Sequence, residues 1–469
     1  SAAVMRAHED RSFPGAVVAS LSIPWGNARD DLGGYHLVWP RDAVNAGLGL
    51  LAMGQDDDAR RMLSYLVAMQ APDGSWAQNF YPDGRPYWGG LQMDEVGLPI
   101  ILATKLAEKG ALPPGDGAEV GARRMVERAA AFILAAGPVT PQDRWEENRG
   151  LNGYTLAVLV AALCAAATWL EGSARGLVLE TADDWNARVE GWTAVRGTAL
   201  DEAHGLRGHY VRTVPRGDAE PLGQRVPVAN TGGREVGAED MVAWDFLALG
   251  RFGLRAPDWP LMQDTVALCE ALLGIDTPLG RTYRRYNGDG YGERADGGPF
   301  DGTGIGRGWP LLSGERGHFA LQAGEDPIPY LQAMARMTGP GGMIPEQVWD
   351  GGPGTPPDRA GRPSGSAMPL VWAHSEFVRL ADAVAEGRPV ELLDCVEGRW
   401  AMRRPVPAVL HWRDDVPVRR LPRGVRLRVV GTGPFLLHWG HDGWQGAADL
   451  RAQPLALGLW GAEVPVPSR

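Results

Sequence analysis

Residues 42–70 read DAVNAGLGLLAMGQDDDARRMLSYLVAMQ, and this stretch decides the fold class. In residues 56–70 the apolar side chains recur every three or four positions, which is the spacing of one helix face. Residues 42–53 show the same periodicity. The stretch therefore predicts two successive helices, and the apolar face of the second consists of Ala59, Met62, Leu63, Leu66 and Met69.

Helical periodicity continues to about residue 395, with Gly-, Pro- and Trp-rich loops between paired helices. An open helical solenoid would repeat with a regular period of roughly 34 to 47 residues. The spacing here is uneven, and residues 274–314 and 350–366 form long loops, which usually carry function. A closed toroid of helical hairpins with a site at one end of its inner helices fits this pattern better. The further predicted helices cover residues 94–109, 119–136, 154–170, 183–195, 238–249, 261–273, 327–336 and 368–385.

From Pro405 onwards the pattern changes to short alternating runs separated by turn residues, which is typical of β-strands. We therefore predict an all-α fold with a small β-rich appendage. Its two parts are a helical domain over residues 1–395 and a β-rich segment over residues 396–469.

The composition of the 469 residues excludes several classes of protein. A net charge of −11 argues against a nucleic-acid-binding protein, which usually has a basic face. No apolar run reaches the roughly 18–20 residues of a membrane helix. Cys164, Cys269 and Cys395 form no CxxC pair, which rules out a disulfide framework or a zinc cluster. The 18 tryptophans against 9 phenylalanines suit stacking on sugar rings, although large helical proteins also bury tryptophan.

Acidic and aromatic residues occur together in four clusters, at residues 35–42, 88–95, 144–148 and 344–350. Hydrolysis of a glycosidic bond needs one carboxyl group that stays protonated near neutral pH and a second that stays ionised. Trp145 would raise the pKa of a neighbouring carboxyl group by removing water from it, and two adjacent glutamates repel each other. Hydrogen bonds from Gln347 and glycine N–H groups could hold Glu346 ionised.

Other interpretations of these residues stay open at this point. Each cluster alone also fits an acidic helix start, and Asp42 fits an N-cap position beside Arg41. The sequence contains no GxxxxGK[ST], HExxH or GxSxG motif, which disfavours phosphate-loop, zinc-protease and serine-hydrolase chemistry. Residues 287–292 begin like a calcium loop, but its twelfth position is Gly298 rather than glutamate.

Taken in order, the motifs make the chain similar to a known family. From about Gly15 to Leu380 it resembles the catalytic domain of the glucoamylase family, glycoside hydrolase family fifteen, particularly the bacterial glucoamylase and glucodextranase branch. The motifs are SIPWG at 22–26, WPRD at 39–42, Gln70 with DGSW at 73–76, LQMDE at 91–95, RWEE at 144–147, WPLL with GERG at 309–317, and PEQVWD at 345–350.

The resemblance implies an (α/α)6 barrel that hydrolyses α-glucosidic bonds from the non-reducing end and releases β-D-glucose with inversion. It implies that Glu146 is the general acid and Glu346 the general base, with Glu376 a much weaker candidate for the base. Their carboxyl groups would stand about 6.5–9.5 Å apart, with a water between them. The implied substrate-binding residues are Tyr35, Trp39, Arg41, Asp42, Trp88, Glu147, Arg285 and Trp309.

The sequence does not separate starch or maltodextrin (α-1,4) from dextran or isomaltooligosaccharide (α-1,6) as the substrate. A trehalase-type disaccharidase of the same family and a non-catalytic glucan-binding protein are the alternatives. We expect no required cofactor and no catalytic metal, with a structural calcium ion left open, and no nucleic-acid or membrane partner.

Two expectations concern the ends of the chain. The first ten residues show no signal-peptide pattern, yet we favour a secreted or periplasmic location over a cytoplasmic one. Bacterial relatives carry a β-sandwich domain before the barrel, so we expect that Ser1 marks a processed or truncated start or that this domain is missing. In the C-terminal segment, Trp412, Trp439 and Trp444 are expected to form a small β core, with starch binding as the alternative.

Overall fold

A computed structural model describes residues 1–26, 34–400, 406–441 and 443–465. The helices are α1 (Ala2–Ala7), α2 (Pro40–Ala52), α3 (Asp56–Met69), α4 (Met93–Glu108), α5 (Gly117–Ala136), α6 (Gly153–Ala166), α7 (Gly172–Thr193), α8 (Ala199–His204), α9 (Leu247–Arg251), α10 (Pro260–Leu273), α11 (Pro310–Gln322), α12 (Ile328–Arg336), α13 (Val371–Glu386) and α14 (Asp394–Trp400). The strands are β1 (Ala194–Val195), β2 (His209–Tyr210), β3 (Arg225–Pro227), β4 (Glu235–Gly237), β5 (Gly274–Thr277), β6 (Gly280–Tyr283), β7 (Val409–Trp412), β8 (Arg426–Gly431), β9 (Leu436–His441), β10 (Gln445–Arg451), β11 (Gln453–Pro454) and β12 (Trp460–Val464).

Six helices form a closed inner ring in the order α2, α4, α6, α9, α11 and α13, because each contacts the next and α13 returns to α2. Every residue of α6 is buried, and so is every residue of α2 from Pro40 to Leu51. A helix that is buried on all sides carries apolar or small residues all round. Gly49 shows how tightly the ring closes, since a Cβ there would lie 2.7 Å from the Ser375 hydroxyl on α13.

The outer helices cover this ring. Helix α3 packs on α2 and α4, α5 packs on α4 and α6, α7 packs on α6, and α12 packs on α11 and α13. The amphipathic face predicted for α3 is the face that packs inward: Ala59, Met62, Leu63 and Leu66 are buried, and Met69 is half-buried. The double ring confirms the predicted (α/α)6 barrel and excludes the open solenoid.

Some helix predictions were wrong. Residues 238–249 do not form one helix but two 3₁₀ turns, Ala238–Asp240 and Trp244–Phe246, followed by the short α9. Between the turns Val242 donates its backbone N–H to Asn287 Oδ1 at 2.8 Å rather than to a helical carbonyl.

Helix α11 was missed because glycine weakens the helical pattern. Gly314 and Gly317 are required there, since Cβ atoms at these positions would come within 2.5 Å of Glu376 and 2.7 Å of Leu380 on α13. Packing with α13 thus decides a helix that local propensity does not predict.

The C-terminal segment contains a four-stranded sheet in the order β11–β12–β8–β7 and a separate hairpin of β9 and β10. Strands β7 and β8 are parallel, with Val409 opposite Arg426. The predicted boundary between residues 395 and 396 lies within α14, and residues 401–405, 442 and 466–469 lie outside the described residues. Trp412 and Trp439 are half-buried, whereas Trp444 is 66% exposed and stacks on His438.

None of the helices in the described ranges is both long enough and apolar enough to cross a membrane.

Candidate active site

A cavity of about 360 Å³ lies at the N-terminal end of the inner ring, at the lower end of the size range of small-molecule sites. Its walls come from the first turns of inner helices and from the loops that precede all six of them. All ten residues predicted from the sequence line it, and their roles stay predictions: Tyr35, Trp39, Arg41, Asp42, Trp88, Glu146, Glu147, Arg285, Trp309 and Glu346. The closed ring therefore brings together motifs that are up to 311 positions apart in the chain, as in the hydrogen bond between Tyr35 and Glu346.

Glu146 lies in a tight turn before α6 and has a backbone φ of +60°, which is unusual for a residue other than glycine. Its N–H donates to the Asp143 carbonyl at 2.9 Å, and Asp143 Oδ1 accepts from the N–H groups of Trp145 (3.1 Å) and Glu147 (3.2 Å). Such left-handed residues cluster at functional sites, where the surrounding contacts hold them. The turn directs adjacent glutamates into different surroundings.

The environment of Glu146 favours a protonated carboxyl group. Burial raises the pKa of Glu146 to about 8, against the opposing effect of Arg41 and Arg285, and the charges of Asp42 and Asp143 raise it further. The predicted repulsion by Glu147 is not among these causes. The side chain is 35% exposed because one side faces the cavity, so a sugar bound there would remove more water from it. Arg41 Nη1 lies 3.3 Å from Glu146 Oε1.

Glu346 faces the same cavity in a different setting. The Tyr35 hydroxyl donates to Glu346 Oε1 at 2.6 Å and also hydrogen-bonds to the Tyr291 hydroxyl. Burial raises the pKa of Glu346 to about 7, and the hydrogen bond from Tyr35 is the largest opposing effect, with a smaller one from Gln347. The sequence predicted that Gln347 and glycine N–H groups would hold Glu346 ionised, but tyrosine is the principal donor.

Glu147 is held by positive and hydroxyl groups. It accepts hydrogen bonds from Arg285 Nη2 (2.9 Å), Arg212 Nη2 (2.6 Å) and the Tyr286 hydroxyl (2.6 Å). Arg285 is itself fixed by Asp289, which accepts from Nε and Nη2 at 2.7 Å each. Glu147 is therefore a rigid acceptor at the cavity wall, unlike Glu146.

Arg41 and Asp42 project from the first turn of α2. Arg41 is fully buried, donates from Nε to Asp94 at 2.9 Å, and lies 3.6 Å from Glu95. Burial raises the pKa of Asp42 to about 6, with Arg41 opposing the shift. An oriented guanidinium group beside a carboxyl group can bind adjacent sugar hydroxyls as donor and acceptor.

Aromatic rings form the rest of the wall. Trp39 and Trp88 meet edge to face at 5.5 Å between ring centroids. Trp145 packs on Trp309 at 5.3 Å and stacks on Trp372 at 5.9 Å. Such flat faces suit a sugar ring.

Several lining residues were missed by the sequence analysis. Tyr291 belongs to the stretch that looked like a calcium loop, where Asp289 instead binds Arg285. Phe300 and Asn230 lie in loops outside the four acidic and aromatic clusters, and Trp372 is in the first turn of α13. The only feature of the sequence that could have indicated Trp372 as a lining residue is that it is an aromatic residue next to a helix start.

Glu376 does not line this cavity. It is completely buried on α13 and accepts from Arg251 Nη1 (2.8 Å), Arg251 Nη2 (3.0 Å) and Arg379 Nη2 (2.6 Å). A carboxylate enclosed by two guanidinium groups cannot activate water in the cavity, which agrees with its low rank as a candidate base.

Comparisons with known proteins agree with this architecture. Residues 1–382 match the family model of glycosyl hydrolases family 15. A glucoamylase of Clostridium sp. is 36% identical over 407 residues, which are 85% of this chain and 54% of that protein. The crystal structure of a bacterial glucoamylase complexed with acarbose has a TM-score of 0.77 at 35% identity, over 85% of this chain and 56% of that one. A glucoamylase of Saccharomycopsis fibuligera, 14% identical over 80% of this chain and 90% of its own, shares the fold with a TM-score of 0.57.

The chain spans about half the length of the Clostridium relative and of the bacterial crystal structure. Because the family model covers most of the sequence and the double helical ring is the same, the chain belongs to glycosyl hydrolase family 15.

Proposed function

We propose that the chain is an exo-acting, inverting α-glucoside hydrolase that releases β-D-glucose from the non-reducing ends of α-glucans. The observation that carries this proposal is that two carboxyl groups face one cavity in different settings: Arg41 Nη1 lies 3.3 Å from Glu146 Oε1, and Glu346 Oε1 accepts from the Tyr35 hydroxyl at 2.6 Å. Burial raises the pKa of Glu146 to about 8 and that of Glu346 to about 7. A glycosidase needs such a pair, one group to give a proton and one to take a proton.

In this mechanism the terminal glucose binds against the tryptophan walls, with Arg41 and Asp42 at its hydroxyls. Glu146 donates its proton to the glycosidic oxygen as the bond from C1 to that oxygen breaks. Glu346 removes a proton from a water that attacks C1 on the opposite face, so the released glucose has the β configuration. Glu147 and Arg285 remain paired and bind the sugar at the cavity wall. No step needs a metal or a cofactor.

The experiment that tests the function measures glucose release from maltose, isomaltose, soluble starch, dextran and trehalose, with EDTA in the buffer. Polarimetry or proton NMR during the reaction identifies the first anomer formed. We expect β-glucose from α-1,4- or α-1,6-linked substrates, and their relative rates assign the linkage. Initial α-glucose would overturn inversion, cleavage of trehalose alone would identify a disaccharidase, and binding without cleavage would identify a glucan-binding protein.

The pH dependence follows from the two carboxyl groups. The base acts only when ionised, so kcat/KM should fall as pH decreases through the pKa of Glu346, about 7. The acid acts only when protonated, so kcat/KM should fall as pH increases through the pKa of Glu146, about 8. We expect a bell-shaped profile with its maximum between these values. Initial rates across pH 5 to about pH 10 check this, and a flat alkaline side would contradict the role of Glu146.

Tyr35→Phe should move the acidic limb of this profile to higher pH. The Tyr35 hydroxyl stabilises ionised Glu346, and a hydrogen bond to a charged group contributes about 1.5–3 kcal/mol, which corresponds to a pKa rise of about one to two units. Because this rise brings the pKa of Glu346 to or above that of Glu146, about 8, the region between the two limbs should narrow and the maximum of kcat/KM should fall. Tyr65→Phe is a matched control, because its hydroxyl donates to the Pro82 carbonyl at 3.2 Å, outside the cavity wall. An unchanged acidic limb in Tyr35→Phe would contradict Glu346 as the base.

A further inference from the structure

Arg144 is a buried cation, and each of its three side-chain nitrogens donates a hydrogen bond to one of two carboxylates. Its side chain is 1% exposed, its Nη1 and Nη2 donate to Glu315 Oε1 (2.7 Å) and Oε2 (3.1 Å), and its Nε donates to Asp245 at 2.7 Å. This paired, fork-shaped geometry fixes the plane and the position of the guanidinium group. We call Arg144, Glu315 and Asp245 the arginine clamp.

The arginine clamp connects separate parts of the barrel. Glu315 lies on the inner helix α11, and Asp245 lies in the 3₁₀ turn directly before α9. Arg144 lies in the loop before α6, one residue from Trp145 and two from Glu146. The loop that carries Glu146 is therefore tied to two other inner helices at a point next to the predicted acid.

The same guanidinium group supports the cavity wall. It lies 4.6 Å from the ring centroid of Trp145 and 4.5 Å from that of Tyr154. Arg285 contacts the Trp145 ring as well, at 5.2 Å. A contact between a cation and an indole favours one orientation of the ring, so the arginine clamp supports the position of Trp145.

Glu146 itself needs such support, because its φ of +60° is an unfavourable conformation for glutamate. At the start of the turn Asp143 is held by Arg212, whose Nη2 donates to Asp143 Oδ2 at 2.7 Å. The next residue, Arg144, holds the same turn through its clamp. We expect the turn to move towards an ordinary conformation if either contact is lost.

We propose that Arg144, fixed by Glu315 and Asp245, is the positioning residue that holds Trp145 and Glu146 in the geometry needed for proton donation to the leaving group. This inference rests on the proposed function and adds a residue to it that lies at the cavity wall but acts through Trp145 and Glu146, because each of its three nitrogens is bonded to a carboxylate. A displacement of about 1 Å at a reacting group can cost about 100-fold in rate.

The test compares two substrates that differ in their need for the acid. A disaccharide that the wild-type protein cleaves requires protonation of its leaving oxygen. α-D-Glucosyl fluoride does not, because the C1–F bond breaks to give fluoride ion while water supplies the hydroxyl group at C1 and Glu346 takes its proton. A misplaced Glu146 therefore lowers kcat/KM for the disaccharide and not for the fluoride.

The principal variant is the triple change Arg144→Met, Glu315→Gln and Asp245→Asn, which removes the buried charges together and so leaves none unpaired. We expect kcat/KM to fall about 100-fold on the disaccharide and to stay within about threefold on the fluoride. Arg144→Lys keeps a positive charge but cannot form the fork, so it should show a smaller loss with the same substrate dependence. If the triple variant does not fold, the ratio of the two kcat/KM values in Arg144→Lys alone tests the positioning role of Arg144.

The matched control is Arg251→Met with Glu376→Gln, another buried forked pair, with distances of 2.8 and 3.0 Å. It leaves Arg379 and Glu391 paired at 3.1 Å. We expect this control to lower the unfolding temperature without changing the ratio of the two kcat/KM values.

Equal losses on both substrates in the arginine-clamp variants would overturn the inference, because the clamp would then support only the fold. Wild-type activity in Arg144→Lys and in the triple variant would overturn it as well. A wild-type protein that hydrolyses neither substrate would instead overturn the proposed function, and this inference with it.

Discussion

Glu146→Gln should lower kcat for a glucoside substrate by about 10³- to 10⁴-fold and change KM only a few-fold. Glutamine has the shape of the protonated glutamic acid and can keep the contact with Arg41, which lies 3.3 Å away, but it has no acidic proton to give. The loss should therefore appear in the chemical step rather than in binding. Steady-state kinetics on the best wild-type substrate measure it.

The pH profile of the same variant provides an independent check. The alkaline limb should disappear from the residual activity, because the group with the pKa of about 8 is gone, whereas the acidic limb of Glu346 should remain. Glu147→Gln is the matched control: its carboxylate is bonded to Arg212, Arg285 and Tyr286, so the variant should raise KM and keep the alkaline limb. Near-normal turnover in Glu146→Gln would remove that residue from the acid role.

The sequence was sufficient to predict much of the fold and the set of candidate site residues. Apolar spacing predicted helices such as α3, and the uneven period pointed to a closed ring. Each predicted cluster precedes or begins an inner helix, as Arg41 does for α2 and Glu146 for α6. When the ring closes, all of these helix starts meet at one end, so local motifs become one site.

What could not be predicted depends on contacts between distant segments. The glycines of α11 weaken its helical pattern and are explained only by the proximity of α13. Arg212 lies outside every acidic and aromatic cluster, yet it bonds both Asp143 and Glu147. Its role follows from burial, because a buried charge must be paired, and burial cannot be read from its immediate neighbours.

The same limit applies in part to the charge states of the two central glutamates. Local sequence predicted the desolvation that is the largest cause of the raised pKa of Glu146, but not the contributions of Asp42 and Asp143. For Glu346 the principal hydrogen-bond donor is Tyr35, 311 positions away, rather than the adjacent Gln347. Motifs identify the proposed reacting groups, whereas the surrounding fold sets their proton affinities.

Glu346→Ala should lower kcat by about 10³- to 10⁴-fold, a loss comparable to that at Glu146 but with a different origin. The variant still holds the acid, so it can protonate a leaving group, but no group removes the proton from the attacking water. The acidic limb of the pH profile should disappear while the alkaline limb of Glu146 remains. Glu376→Gln controls for the loss of a buried glutamate, because Glu376 is bonded to Arg251 and Arg379 outside the cavity.

Adding azide distinguishes the loss of the base in Glu346→Ala from a general disruption of the cavity. Azide ion carries no proton, so it needs no base when it attacks C1 as the leaving group departs. Glu146 still donates a proton to a leaving group that requires one. If Glu346 acts on a water at the face opposite the leaving group, azide bound in the space that the Glu346 carboxyl group occupied attacks that face and gives β-D-glucosyl azide. We expect azide to increase the rate for Glu346→Ala but not for Glu146→Gln on a disaccharide, with the product identified by NMR. An α-azide product would instead show that Glu346 is not on the inverting face, and the proposed assignment of acid and base would then fail.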